Sequence, residues 1–129
     1  MKKGKQYKKG LETIREMFGE EYIKKRAATA ELYPAWDKFT VEVLFGEIWN
    51  RPVLDKKTRS LVTVAALTVL GREPQLRTHV RVALNNGVSK DEIIELMTHL
   101  GFYGGWPASA TGFNVATEVF NEFGVVTRG

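Results

Sequence analysis

The side chains of this sequence that can perform acid–base chemistry are few. Glu47, His79 and His99 are the candidates for moving or steering a proton. A histidine suits this task because its imidazole titrates close to neutral pH. Arginines suit the binding of an anionic ligand, since the planar guanidinium matches a carboxylate with two parallel hydrogen bonds. The candidate anchors are Arg51, Arg72, Arg77 and Arg81. This set is not specific by itself, because arginines on a helix are usually solvated.

Several other kinds of chemistry are excluded or disfavoured by residue type and spacing. The chain has no cysteine, which excludes disulfides, thiolate metal sites and thiol redox chemistry. It has neither a glycine-rich phosphate loop nor the elbow motif of a serine nucleophile. The two histidines lie 20 residues apart and have no carboxylate at a metal-ligand spacing. A metal site is therefore disfavoured, and acid–base and electrostatic chemistry remains.

His79 lies in a segment whose apolar residues recur with helical spacing. The buried stripe predicted for this helix consists of Leu76, Val80, Ala83 and Leu84. One edge of the stripe is lined by Gln75, His79, Val82 and Asn86. Arg77 and Arg81 fall on the opposite flank. Two interpretations of His79 stay open: polar groups at such an edge often line a cleft, but a histidine there can also simply donate one hydrogen bond to a neighbouring carbonyl.

The elements that would position these residues are all predicted helices. The segment Leu61–Leu70 is apolar except for two threonines, which predicts a helix surrounded by others in the middle of the protein. Gly71 is placed to end that helix in a left-handed conformation, and Pro74 suits the first turn of the next. Ser89 and Glu92 form a capping box, which begins the following helix.

The rest of the chain shows the same helical periodicity. An amphipathic helix begins around Tyr7 and ends near Gly19, and residues 20–33 form a short helix or a loop. Pro34 opens a helix that runs to about Trp49, with one apolar side, and the last helix spans Ala108 to Phe123. No useful stretch alternates with the period of a strand. The sequence predicts one all-α domain, residues 1–129, of about six helices and without repeats.

The positive charge of the chain is concentrated at its beginning. Residues 1–10 hold five lysines and no acid, whereas the remaining chain holds 14 basic and 15 acidic residues. We interpret residues 1–6 as a basic, flexible tail, and we expect neither nucleic acid nor a membrane as a partner. The basic start is not followed by the apolar stretch of a signal peptide, so we expect a cytoplasmic protein.

Three long segments resemble a known family. They are FGEIWNRPVLDKKTRSLVTVAAL from Phe45, GREPQLRTHVRVALNNGVSKDEIIE from Gly71, and GGWPASATGFNVATEVF from Gly104. With them, the chain from about Tyr7 to Phe123 resembles the carboxymuconolactone decarboxylase family. The resemblance implies an all-α fold shared with alkylhydroperoxidase-D-like proteins, and ring-shaped homo-trimers or homo-hexamers.

The peroxidase branch of that fold carries a Cys-x-x-Cys pair ahead of a helical histidine. The histidine corresponds to His79, but the two cysteine positions hold Arg72 and Gln75 here. The glutamate of that branch falls at Ser60. Thiol peroxidase activity is therefore implausible for this chain.

The family resemblance implies a cofactor-free decarboxylation of a carboxylated, unsaturated γ-lactone of the 4-carboxymuconolactone type to an enol-lactone, in the catabolism of aromatic compounds. In this interpretation His79 is a general acid or an oxyanion donor, and Glu47 orients it or relays the proton. The residues expected to bind the substrate are Arg51, Arg72, His99 and Trp106. Two alternatives stay open: a non-catalytic oligomer that binds a small acid, and a family member with a different substrate.

Overall fold

The computed structural model describes residues 4–124; residues 1–3 and 125–129 lie outside the described part. Within that part there is no strand, so the all-α prediction is confirmed. The seven α-helices of this range are close to the six that were expected. They are α1 Lys5–Phe18, α2 Glu20–Leu32, α3 Pro34–Lys38, α4 Lys56–Leu70, α5 Glu73–Asn85, α6 Lys90–Leu100 and α7 Trp106–Glu122. A π-helix, Phe39–Phe45, continues α3, and a 3₁₀ turn, Ile48–Asn50, follows it.

The helices divide into two compact units, one ending at Lys56 and the other beginning at Lys57. The prediction of a single domain over residues 1–129 stays a prediction. Helix α1 begins at Lys5, so part of the predicted tail is helical, and residues 1–3 of that tail are outside the described range. No helix within residues 4–124 is both long and apolar enough to cross a bilayer.

In the first unit, the core lies between α1 and the segment that runs from α3 to the 3₁₀ turn. Helix α1 contributes Tyr7, Ile14 and Met17, all buried. The facing segment buries one residue in every four: Asp37, Val41, Phe45 and Trp49. Val41 and Phe45 lie in the π-helix, whereas Asp37 belongs to α3 and Trp49 to the 3₁₀ turn.

Helix α2 has no buried residue, but a ring stack of its Tyr22 on Phe18 and an ion pair of its Arg26 connect it to neighbouring elements. Its Arg26 donates from Nη2 to Oδ1 of Asp37 at 2.5 Å, and the hydroxyl of Tyr7 donates to the other oxygen of the same carboxylate. Asp37 is 1% exposed, so this carboxylate ties α1, α2 and α3 together inside the unit. Burial, and secondarily Asp37, raise the pKa of the Tyr7 hydroxyl.

The core of the second unit is built from α4 to α7. It contains Val64, Val80, Met97 and Phe120 together with neighbouring aliphatic residues. The local signals predicted at its helix ends are confirmed. Gly71 has a φ of 72°, Pro74 lies in the first turn of α5, and both hydrogen bonds of the Ser89–Glu92 capping box are present.

The prediction that α4 is surrounded by other helices is wrong for the single chain. Only Ser60, Val64 and Thr68 are buried, and they follow the i, i+4, i+8 spacing of a single face. On other faces of the helix, Val62 is 57% and Leu70 is 67% exposed. The sequence shows that α4 is apolar on nearly every side. It does not show whether other helices of the same chain cover each of those sides.

A second apolar surface lies on the first unit. The apolar side predicted for the helix after Pro34 consists of Trp36, Phe39, Val43 and Leu44, and these four side chains are all exposed. Scattered apolar residues are normal on a protein surface, whereas several on one side indicate an interaction surface.

Candidate active site

His79 lies in the middle of α5, between the buried residues Leu76 and Val80. Its side chain is half-buried, as expected for a residue at the edge of the apolar stripe. Burial lowers the pKa of His79 to about 4, because withdrawal from water disfavours the charged imidazolium. At neutral pH the imidazole is therefore uncharged, with one ring nitrogen as a donor and the other as an acceptor.

The edge of α5 that carries His79 is only partly accessible. Val82 is 1% exposed, and Asn86 donates from Nδ2 to Oγ of the buried Ser60 on α4 at 3.0 Å. Gln75, near the beginning of the helix, is exposed. The polar edge predicted from spacing is thus packed against protein at its C-terminal end and open at its N-terminal end.

Arg77 and Arg81 are engaged in ion pairs between α5 and α7. Arg77 donates to Glu118 from Nε at 3.0 Å and from Nη2 at 2.7 Å. Arg81 donates to Glu122 from Nε at 2.7 Å and from Nη2 at 2.9 Å. Both pairs repeat after four residues on each helix, so they form a ladder along one seam. Because their guanidinium groups already bind carboxylates of the chain, Arg77 and Arg81 are less suited than an unoccupied arginine to anchor a ligand.

Arg72 is the better-placed arginine in this unit. It is exposed and stands at the N-cap of α5, seven residues before His79. Seven residues are nearly two helical turns, so the two positions lie on the same face. Glu118 and Glu122 bind the two arginines within α5, Arg77 and Arg81.

His99 and Trp106 belong to an exposed aromatic surface at the connection of α6 and α7. The His99 ring stacks on Tyr103, with 4.9 Å between centroids. Trp106 is 63% exposed and meets the edge of Phe102 at 5.7 Å. Both residues are accessible to a ligand, and their role in binding one stays a prediction.

Glu47 and Arg51 lie together in the first unit, where they line a cavity of about 380 Å³. The remaining lining residues are Gln6, Lys9, Gly46, Asn50 and Pro52. Glu47 and Arg51 are both exposed. The cavity brings these two residues together, and their roles in a site stay predictions. The cavity does not test the pairing of Glu47 with His79, because His79 belongs to the other unit. That pairing stays a prediction.

Sequence reasoning missed Gln6 and Lys9 as lining residues of this cavity. Gln6 lies in the segment 1–6 that we interpret as a tail, and Lys9 lies in the amphipathic helix predicted after it. Their spacing of three residues on a helix that begins at Lys5 is the signal that could have placed them on one face. Within residues 4–124, no three histidine, aspartate or glutamate side chains cluster as metal ligands would.

Comparison with known proteins identifies the family of this chain. The model of the carboxymuconolactone decarboxylase family matches residues 34–118, about two thirds of the chain. The chain belongs to this family. The matched range includes all six predicted site residues, from Glu47 to Trp106, but not Gln6 or Lys9.

Three individual proteins are also similar in sequence to this chain. The chain is 42% identical over 120 residues to 4-carboxymuconolactone decarboxylase of Acinetobacter baylyi, covering 92% of this chain and 90% of that one. It is 32% identical over 118 residues to nitrosuccinic acid decarboxylase of Metarhizium robertsii, covering 90% and 82%. An uncharacterized 15.0 kDa protein of Paracoccus denitrificans is 41% identical over 97 residues, covering 74% and 72%.

Proposed function

We propose that this protein is a carboxy-lyase that decarboxylates a carboxylated, unsaturated γ-lactone of the 4-carboxymuconolactone type to an enol-lactone, without a cofactor. The observation that carries the proposal is the 42% identity, over 92% of the chain, to a 4-carboxymuconolactone decarboxylase. The absence of cysteine from all 129 residues removes the thiol chemistry that the wider fold supports elsewhere.

The reaction needs little from the protein beyond placement and electrostatics. When the bond between the γ carbon and its carboxylate breaks, the electron pair passes through the double bond to the lactone carbonyl. CO₂ leaves and a dienolate remains, which takes up one proton on carbon. The substrate is its own electron acceptor, so the protein must bind the carboxylates, stabilise the oxyanion and supply the proton.

His79 is proposed as the donor to the lactone oxygen. With a pKa near 4 the imidazole is neutral at pH 7, so a ring N–H can donate to the developing oxyanion while the side chain carries no charge in the ground state. Of the two roles expected for His79, the depressed pKa favours the oxyanion donor over a charged general acid. The proton for carbon is then assigned to Glu47, either directly or through water.

Arg51 and Arg72 are proposed to bind the carboxylates of the substrate. Both are exposed, and Arg72 shares a face of α5 with His79. His99 and Trp106 are proposed to contact the ring from the aromatic surface between α6 and α7. Because a guanidinium and a carboxylate form two parallel hydrogen bonds, a lysine at Arg72 would not replace the arginine fully.

We further propose that the protein is a homo-trimer or homo-hexamer that acts in the cytoplasm, in the catabolism of aromatic compounds, with neither nucleic acid nor a membrane as partner. The oligomer is supported by the exposed apolar residues of α4 and of the segment after Pro34. Surfaces of this kind become the more apolar core of a homo-oligomeric interface.

Purified protein incubated with 4-carboxymuconolactone tests the proposal. We expect stoichiometric release of CO₂ with loss of lactone absorbance, unchanged after treatment with a chelator. Nitrosuccinic acid is the second substrate to test, because the relative named for it is 32% identical over 90% of the chain. Release of CO₂ from that acid alone would assign the chain to the different-substrate alternative. Binding of both acids without release of CO₂ from either would assign it to the non-catalytic alternative.

A further inference from the structure

Asn50 binds the backbone that carries Glu47. Its Nδ2 donates to the backbone oxygen of Phe45 at 2.9 Å and to that of Gly46 at 3.2 Å. Its backbone N–H donates to the oxygen of Glu47 at 3.1 Å. Carbonyl groups at the end of a helix have no partner within it, so they need donors from outside. Asn50 alone supplies such donors to three consecutive carbonyl groups at the end of the π-helix.

The backbone N–H groups on the other side of Glu47 are bound as well. The N–H of Glu47 donates to the oxygen of Val43 at 3.0 Å, and the N–H of Gly46 donates to the oxygen of Val41 at 2.8 Å. Glu47 is thus hydrogen-bonded through both its N–H and its carbonyl group. Its side chain is exposed, so the placement of the carboxylate depends on this backbone.

The side-chain amide of Asn50 is itself anchored on two sides. Its Nδ2 donates to Oγ1 of Thr13 on α1 at 3.0 Å, and its Oδ1 accepts from Nζ of Lys56, the last residue of the first unit, at 3.2 Å. The Thr13 hydroxyl is 4% exposed as part of its residue and donates its own hydrogen to the oxygen of Lys9, so it accepts from Asn50. Oxygen acceptors surround Nδ2 and an ammonium group faces Oδ1, an arrangement that a carboxylate cannot satisfy because it has no donor.

We propose that Asn50 is a positioning residue, which fixes the backbone of Glu47 so that its carboxylate delivers the proton to carbon. The inference rests on the proposed function, in which Glu47 supplies that proton. Proton delivery depends on placement, and a displacement of about 1 Å can cost about a hundredfold in rate. All the contacts that carry the inference join residues of the first unit.

Steady-state kinetics of Asn50→Asp with 4-carboxymuconolactone test this role. Aspartate keeps the size of the side chain but places an oxygen where Nδ2 lies, against the carbonyl groups of Phe45 and Gly46. We expect kcat to fall about tenfold and KM to change less than about threefold, because the proton is delivered after the substrate has bound. Thr13→Val removes one acceptor of the amide and should lower kcat about threefold. Asn114→Asp, at an exposed position on α7, is the matched control and should leave both constants unchanged.

The same substitution in a Glu47→Gln protein separates positioning from general damage to the fold. The carboxylate is already missing there, so Asn50→Asp should lower the remaining kcat less than about twofold. Equal losses of kcat in both backgrounds would overturn the proposal, because Asn50 would then not act through Glu47. A wild-type kcat in Asn50→Asp would overturn it too. If Asn50→Asp does not fold, a wild-type kcat in Thr13→Val would do the same.

Amide hydrogen exchange, followed by NMR, keeps a failure of this inference distinct from a failure of the proposed function. If the wild-type protein releases no CO₂ from 4-carboxymuconolactone, the decarboxylation is wrong, and exchange decides whether Asn50 fixes the turn. We expect the N–H groups of Gly46 and Glu47 to exchange at least about tenfold faster in Asn50→Asp than in wild type or Asn114→Asp, because the turn opens more often. Equal exchange in wild type and Asn50→Asp would overturn the proposal.

Discussion

Asn86, the C-cap residue of α5, donates a 3.0 Å hydrogen bond to Ser60 of α4, whose side chain is completely buried. His79 precedes Asn86 by seven residues and therefore lies on the same edge of α5. The bond shows that this edge faces protein at its C-terminal end, and two turns earlier the imidazole of His79 is itself largely withdrawn from water. Because burial lowers its pKa to about 4, His79 is neutral at pH 7. The neutral imidazole is the form proposed to donate to the lactone oxygen.

The depressed pKa of His79 predicts a pH dependence of stability. The folded protein holds His79 with a pKa of about 4, against 6.5 for an ordinary histidine, so the unfolded chain binds the proton more tightly between these values. The contribution is fully present above pH 6.5 and is lost as the pH falls towards 4. Between pH 7.5 and 4.5 we expect wild type to lose about 2 kcal/mol more unfolding free energy than His79→Gln.

Urea unfolding of both proteins at the two pH values, at equal protein concentration, measures that difference. Carboxylates that titrate in the same range affect both proteins alike, so the comparison isolates His79. Equal losses in the two proteins would show that His79 is not withdrawn from water.

The carboxylate of Asp37 predicts a large effect on the first unit. Asp37→Ala leaves the largely buried Arg26 without its partner and removes the acceptor of Tyr7. We expect a loss of about 3 kcal/mol or more, as for breaking a buried pair from one side. Tyr7→Phe should cost about 1 kcal/mol, the usual value of one hydrogen bond.

Glu20→Ala is the matched control for Asp37→Ala, because its pair with Arg15 is exposed on both sides. It should cost less than about 1 kcal/mol in the same denaturant titration. A loss for Asp37→Ala as small as this would mean that the buried network does not hold α2 in place.

Much of the second unit could be predicted from sequence because its signals are local. Ser89 and Glu92 are three residues apart, and Gly71 and Pro74 act through their own backbone geometry. The half-buried position of His79 followed from the period of one helix. Each of these signals is contained within one or two turns, so no knowledge of the packing was needed.

The features that sequence did not predict depend on partners far along the chain. Glu118 and Glu122 follow their arginines by 41 residues, and Asp37 follows Tyr7 by 30. Nothing near Asp37 in sequence indicates that an acid is buried there. Lys9 and Glu47 line one cavity although they lie far apart in the sequence. The exposed sides of α4 could not be predicted either, because periodicity does not say what covers an apolar face.

The ion pairs between α5 and α7 predict that Arg77 and Arg72 differ in their effect on KM. Arg77→Gln should leave KM unchanged, because Arg77 binds Glu118, and it should lower the unfolding free energy by less than about 1 kcal/mol at this partly exposed pair. Arg72→Gln should raise KM about tenfold, since it removes a charged hydrogen-bond donor from the substrate. KM values of the two variants check this, and a larger effect from Arg77 would return that residue to the list of anchors.

The apolar surfaces predict an oligomer. Light scattering should give three or six times the chain mass of 14.6 kDa at micromolar concentration. Val62→Asp should shift the distribution towards smaller species, because it places a charge on the exposed apolar side of α4. Thr117→Asp, at an exposed position on α7, is the control. A stable monomer at this concentration would contradict the expectation.

The rate of CO₂ release from 4-carboxymuconolactone by His79→Leu tests the central claim most directly. Leucine fills the half-buried site but cannot donate a hydrogen bond, so we expect the rate to fall about 10²- to 10³-fold, the usual loss for one oxyanion donor, with little change in Tm. His99→Leu, at an exposed ring stacked on Tyr103, should lose less than about tenfold. A wild-type rate of CO₂ release from a folded His79→Leu protein would contradict the account.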